Sequence, residues 1–93
     1  MRLDKFLKVS RVIKRRTLAK EVCDSGRIKI NNRTAKASTE TKPGDILDLD
    51  FGHKLVKIEV VDLANSASTK DAKELYKILE EIKKSDNVED IDE

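Results

Sequence analysis

The chain is poor in the residues that build reactive or cross-linked sites. Its 93 residues include one Cys, one His, one Pro, three Gly and no Trp. A lone Cys23 closes no intramolecular disulfide, which fits a reducing compartment. One Cys and one His cannot supply the four ligands of a structural zinc site. Phe6, Phe51 and Tyr76 are all the aromatics, too few for platforms that stack single-stranded bases. No glycine-rich phosphate loop is present. No apolar run reaches the length of a signal peptide or a membrane helix, so the expected location is cytoplasmic.

Charge is plentiful and unevenly placed. The net charge is +2, yet residues 1–57 carry 15 Lys/Arg against 7 Asp/Glu, and residues 58–93 carry 5 against 11. Most of the positive excess lies in residues 1–36, with 12 cations and 3 acids. A basic front on a nearly neutral chain points to a polyanionic partner.

The hydrophobic spacing predicts one small α+β domain, in which deep catalytic pockets are not expected. Leu3, Phe6 and Leu7 follow helical spacing. After a connection over Ser10 to Arg16, Thr17 is the expected N-cap of a second helix, with Leu18, Ala19, Val22 and Cys23 as its apolar stripe and Gly26 as its stop. "RIKINN" reads as a strand running into an Asn31-Asn32 turn, and "KPGD" as a type II turn. "ILDLDF" and "KLVKIEVVDL" alternate as strands, the second with Val56, Ile58 and Val60 facing one way. "TKDAKELYKILEEIKK" carries Ala72, Leu75, Leu79 and Ile82 at helical spacing, with Ser68 and Asp71 resembling a capping box. A C-terminal helix is expected there, and "SDNVEDIDE", with five acids, as a flexible tail.

Individual reactive groups have plain structural readings. Cys23 sits on an apolar stripe and reads as a small buried hydrophobe. His53 follows Gly52 in a turn and lacks the positioned partners a general base needs. Asp48 and Asp50 alternate along a strand and read as its solvent face rather than as a catalytic pair. No catalytic residue, metal or cofactor is expected, and the chain reads as a non-enzyme.

The basic front reads differently. "SRVIKRRTLAK" holds five cations and no acid, and Lys14, Arg15 and Arg16 crowd a helix start that already carries partial positive charge. Cations there cost some tenths of a kcal/mol each. The arrangement becomes favourable if an anion sits among them, because free helix amides and guanidinium groups both match phosphate. The outward positions of the second helix, Lys20, Glu21 and Asp24, are partly acidic and read bases poorly. Phosphate and shape recognition of structured RNA therefore fits better than a DNA-reading helix-turn-helix.

"RLDKFL", "SRVIKRRTLAKEVCDSGRIKIN" and "KPGDILDLDFG" resemble the αL RNA-binding motif, the S-four-type domain superfamily, over about residues 1–61. Within it the chain most resembles the small ribosome-associated quality-control members. Pseudouridine synthases and tyrosyl-tRNA synthetases share the motif, but this chain is too short for their catalytic domains. One departure is Asn32, where the family usually has Gly.

The resemblance implies two N-terminal helices packed on a small antiparallel sheet. It implies binding to large-subunit ribosomal RNA and P-site peptidyl-tRNA on obstructed large ribosomal subunits, with RqcH on the same particle, in support of C-terminal alanine tailing. It further implies that Arg2 and Arg16 contact RNA, with Lys5, Arg11, Arg15 and Thr17 in the same motif. Lys8, Lys14 and Lys20 widen the basic footprint.

The expected organisation is an αL-type RNA-binding domain at 1–61, a connector with the C-terminal helix at 62–84, and the acidic tail at 85–93, in a monomer. Two other functions compete: a heat-shock-type large-subunit rescue factor, whose relatives tend to end basic, and a protein-interaction module docking through the C-terminal helix. A DNA-binding regulator is a further alternative.

Overall fold

The computed structural model describes residues 1–64 and 69–83. Two helices, α1 (Leu3–Val9) and α2 (Arg16–Asp24), precede strands β1 (Ile28–Ile30), β2 (Arg33–Thr34), β3 (Ile46–Asp50) and β4 (Lys54–Val60). A single turn, α3 (Thr69–Ala72), leads into β5 (Tyr76–Lys83). The strands form one antiparallel sheet in the order β2-β1-β3-β4-β5.

Alternation sets which face is buried. Ile28 lies opposite Leu49, Ile30 opposite Leu47, and Leu47 and Leu49 opposite Ile58 and Val56. All six point into the core, where they meet Leu3, Phe6 and Leu7 of α1 and Ala19 and Cys23 of α2. Fully burying such an aliphatic or aromatic side chain contributes about 1.5–3 kcal/mol. The polar alternates, Lys29, Asp48, Asp50 and Lys57, take the other face, with Lys57 Nζ 4.0 Å from Asp48 Oδ1.

The turns follow their residues. Asn31 and Asn32 have φ of 52° and 71°, the left-handed pair of a two-residue hairpin turn. The Asn31 side chain also ties this turn to β3, accepting from the Ile46 amide at 3.0 Å and donating to Asp45 at 3.2 Å. Asn32 thus takes the left-handed conformation of the turn without being glycine. At Lys42-Pro43-Gly44-Asp45, Gly44 has φ of 94° and the Asp45 amide donates to Lys42 at 3.2 Å.

Three expectations are corrected. The N-cap of α2 is Arg15, extended and without a side-chain cap bond, and Thr17 lies inside the helix. Leu18 is not on the buried stripe but nearly half exposed. The expected C-terminal helix gives way to strand: among the described residues of this segment only Thr69–Ala72 is helical, and Tyr76–Lys83 pairs with β4 from Val60↔Tyr76 to Lys54↔Lys83. Pairing with the far edge of β4 prevails over the local helical spacing, because it satisfies backbone groups of both strands. Tyr76 and Ile78, good strand formers, sit beside Val60 and Ile58. Of the presumed stripe, Ala72 and Leu75 are buried while Leu79 and Ile82 are exposed. Ser68, the expected cap, and the acidic tail at 85–93 lie outside the described residues.

Candidate nucleic-acid interface

The start of α1 is held in place by backbone pairing. The Leu3 amide donates to Thr39 at 2.8 Å, Asp4 to Ala37 at 3.2 Å, and Thr41 to Met1 at 2.8 Å. The backbones of Arg2 and Glu40 form an isolated antiparallel bridge, and the N-terminal ammonium pairs with the Glu40 carboxylate. Asp24 of α2 reinforces the same segment, accepting from the Ala37 amide at 3.0 Å. Arg2 therefore leaves a fixed backbone.

Asp4, only 3% exposed, gathers two arginines. Arg2 donates Nε to Oδ1 at 3.2 Å and Nη2 to Oδ2 at 3.4 Å. Arg16 donates Nε to Oδ2 and Nη2 to Oδ1, both at 3.5 Å. Burial alone would raise the Asp4 pKa, but the hydrogen bonds and charges of Arg2 and Arg16 outweigh it and hold the carboxyl below its usual value. The two guanidinium groups stay 48% and 49% exposed. One carboxylate against two guanidinium groups leaves net positive charge at the surface, with fork donors free for a second acceptor.

The linker adds further cations. Ile13 is buried and its amide donates to Leu7 at 3.1 Å, which pins the connection while Lys14 and Arg15 remain exposed. Arg11 occupies the left-handed region at φ 62° just after α1, where helices usually place Gly. Its amide donates to Lys8 at 3.1 Å. At the start of α2 there is no acid and no side-chain cap, so the first-turn amides, including those of Thr17 and Leu18, are available to an outside acceptor.

Asp4 thus joins Arg2 and Arg16. Lys8, Arg11, Lys14, Arg15 and Lys20 are exposed and form no ion pair among the described residues. Lys5 is half-buried on α1 and is the least open of the set.

The role of Asp4 escapes a reading by composition. The available signal is that Asp4 is the sole acid in residues 1–20, among eight cations. The remaining reactive groups are structural. Cys23 is buried, and burial, with the charges of Asp4 and Asp24, pushes its thiol up to about 12. Asp50 accepts from the Gly52 amide at 2.8 Å, and His53 is an exposed turn residue.

Residues 1–47 match the S4 domain family, a span that contains α1, α2 and the whole arginine cluster. The RQC P-site tRNA stabilizing factor of Bacillus subtilis is 59% identical over 83 residues, covering 89% of this chain and 96% of that protein. The chain belongs to the RQC P-site tRNA stabilizing factor (RqcP) family. The Streptococcus pneumoniae member is 50% identical over 88 residues, covering 95% of this chain and all of that protein. The fold has a solved counterpart in the trimeric structure of Vibrio cholerae Heat Shock Protein 15, with a TM-score of 0.78 and 29% identity. That match covers 84% of this chain and 80% of the counterpart. The match to the S4 domain family ends within β3, and β4 and β5 complete the sheet beyond the matched residues.

Proposed function

We propose that this chain binds RNA on obstructed large ribosomal subunits in the cytoplasm, where it holds P-site peptidyl-tRNA and contacts ribosomal RNA without catalysing a reaction. The observation that carries the proposal is the Asp4-held pair, in which two half-exposed guanidinium groups converge beside an uncapped helix start. Arg2 and Arg16 grip phosphates, and the amides of Thr17 and Leu18 supply backbone donors. Lys5, Lys8, Arg11, Lys14, Arg15 and Lys20 widen the electrostatic footprint. Kinship with the P-site tRNA stabilizing factors supports tRNA as one ligand, and with it a place beside RqcH in alanine tailing.

Sedimentation of cell extract provides the test. The protein is expected to travel with free large subunits, and the double variant Arg2→Ala/Arg16→Ala to stay at the top of the gradient. Alanine tails on stalled chains should disappear with that variant. A wild-type protein found only in the soluble fraction would refute the proposal.

The likeness to Vibrio cholerae Heat Shock Protein 15 favours one second reading, a rescue factor for large subunits. It predicts large-subunit association with alanine tailing untouched by the arginine variants.

A further inference from the structure

Among the described residues β5 is a free sheet edge, and a long one. It stands last in the strand order and is eight residues long, whereas β2 at the opposite edge has two. Apart from half-buried Tyr76, every β5 side chain is exposed, including Ile78 at 52%, Leu79 at 42% and Ile82 at 46%. Leu55, opposite Ile82, is 38% exposed. Such an edge offers unpaired backbone groups together with apolar surface.

Pairing with β4 assigns the β5 side chains to faces. Lys77, Glu80 and Ile82 lie opposite Glu59, Lys57 and Leu55 on the outer face. Tyr76, Ile78 and Glu81 lie opposite Val60, Ile58 and Val56 on the helix side, with Leu79 at the register shift between them. Two rows cross the outer face: Lys29, Asp48, Lys57, Glu80, and Ile46, Glu59, Lys77. Charge alternates in sign along the first row and between Glu59 and Lys77 of the second, and both rows stop at β5. One ends in an anion and the other in a cation. Neither Glu80 nor Lys77 forms an ion pair among the described residues.

We propose that β5 is a homodimerisation edge. Two copies pair antiparallel through β5 about a two-fold axis normal to the sheet, with Glu80 of each copy opposite Lys77 of the other. Both rows then continue across the axis with their alternation of sign intact. On the helix side Tyr76 falls opposite Glu81 of the second copy, a phenol beside a carboxylate, and Ile78 meets Leu79 at the axis. A one-residue slip sets Lys77 against Glu81, which belongs to the other face, so the register is specified. Charges on an edge strand ordinarily guard it against pairing; guards of one sign repel in every register, whereas Glu80 and Lys77 attract in this one. The contact is isologous and closes at two copies, which departs from the monomer that the sequence suggests.

The test is sedimentation equilibrium of the full chain across concentration. Wild type is expected to rise from monomer to twice the monomer mass. Glu80→Lys and Lys77→Glu each set like charges opposite at both contacts, and each is expected to weaken the dimer roughly tenfold. An equimolar mixture of the two variants should associate again, because every contact then joins opposite signs; that recovery also shows both variants folded. The proposal is overturned by a wild type that stays monomeric at every concentration, by a dimer that both variants leave intact, or by a mixture that does not recover.

Discussion

Arg2 and Arg16 share one buried carboxylate: the Nε of Arg2 lies 3.2 Å from Asp4 Oδ1, and the Nε of Arg16 lies 3.5 Å from Oδ2. Two guanidinium groups brought together repel, and a fixed anion between them lowers that cost before any ligand arrives. What remains at the surface is an oriented pair with donors to spare. Orientation and charge can be separated at Asp4, because Asp4→Asn raises the net positive charge while loosening both arginines. Structured-RNA affinity should fall in a filter-binding titration despite the added charge. A rise would mean that charge alone governs binding.

The same carboxylate sets the acid stability of the fold. Its pKa is lowered in the folded state, so its contribution is present above the unfolded value, about 3.9 for Asp, and is lost as pH falls through the folded one. Urea melts between neutrality and acid should show wild type losing stability in that window and Asp4→Asn losing less. The half-exposed partners moderate the effect, because solvent screens pairs of this kind.

Replacing Arg16 with Ala isolates the ligand contact. Asp4 keeps the Arg2 pair, and the Arg16 side chain is about half exposed, so thermal stability should change by less than about 1 kcal/mol. RNA affinity should drop, and the slope of log affinity against log salt should become shallower by roughly 0.7 to 0.9, the value of one phosphate contact. Arg16→Lys should not restore affinity, since a point charge cannot fork between Asp4 and a phosphate. A collapse in melting temperature would assign Arg16 to structure instead.

Much of the fold was legible because local chemistry and tertiary context agreed. Ile28 and Ile30, Leu47 and Leu49, and Val56, Ile58 and Val60 alternate in the sequence and are all buried on one face; the Asn31-Asn32 and Pro43-Gly44 turns follow from backbone preferences alone. β5 was illegible for the opposite reason. Ala72, Leu75, Leu79 and Ile82 have helical spacing, yet a non-local demand, the open edge of β4, decides their conformation. The cluster was half legible. Crowded cations mark the start of α2, but Asp4 is joined to Arg16 only when the two helices pack.

Arg11 shows the same site from the side of the backbone. A non-glycine residue at φ 62° bears a steric cost of roughly 1 kcal/mol that Gly would relieve. Arg11→Gly should therefore leave stability unchanged or raise it by up to about 1 kcal/mol, the unfolded-chain entropy of Gly taking back part of the gain. RNA affinity should fall with the lost cation. Paired thermal melts and binding titrations check both directions, and unchanged affinity would remove Arg11 from the interface.

Cys23 reports on the core from the alkaline side. Burial, followed by the charges of Asp4 and Asp24, raises its thiol from 9.0 to about 12. A group raised in the folded state contributes stability that is complete below the unfolded value and is lost as pH climbs toward the folded one. Wild type should therefore weaken between about pH 9.0 and 12, and Cys23→Ala, less stable at neutrality through its small cavity, should show a flatter alkaline limb. Because the thiolate is the nucleophile, native Cys23 should react with iodoacetamide far more slowly than the urea-unfolded chain at pH 8. Asp4→Asn should speed the native reaction by removing one of the charges that hold the proton on sulfur. Native alkylation as fast as unfolded would show the thiol to be open to solvent, and α2 to be packed differently at its buried face.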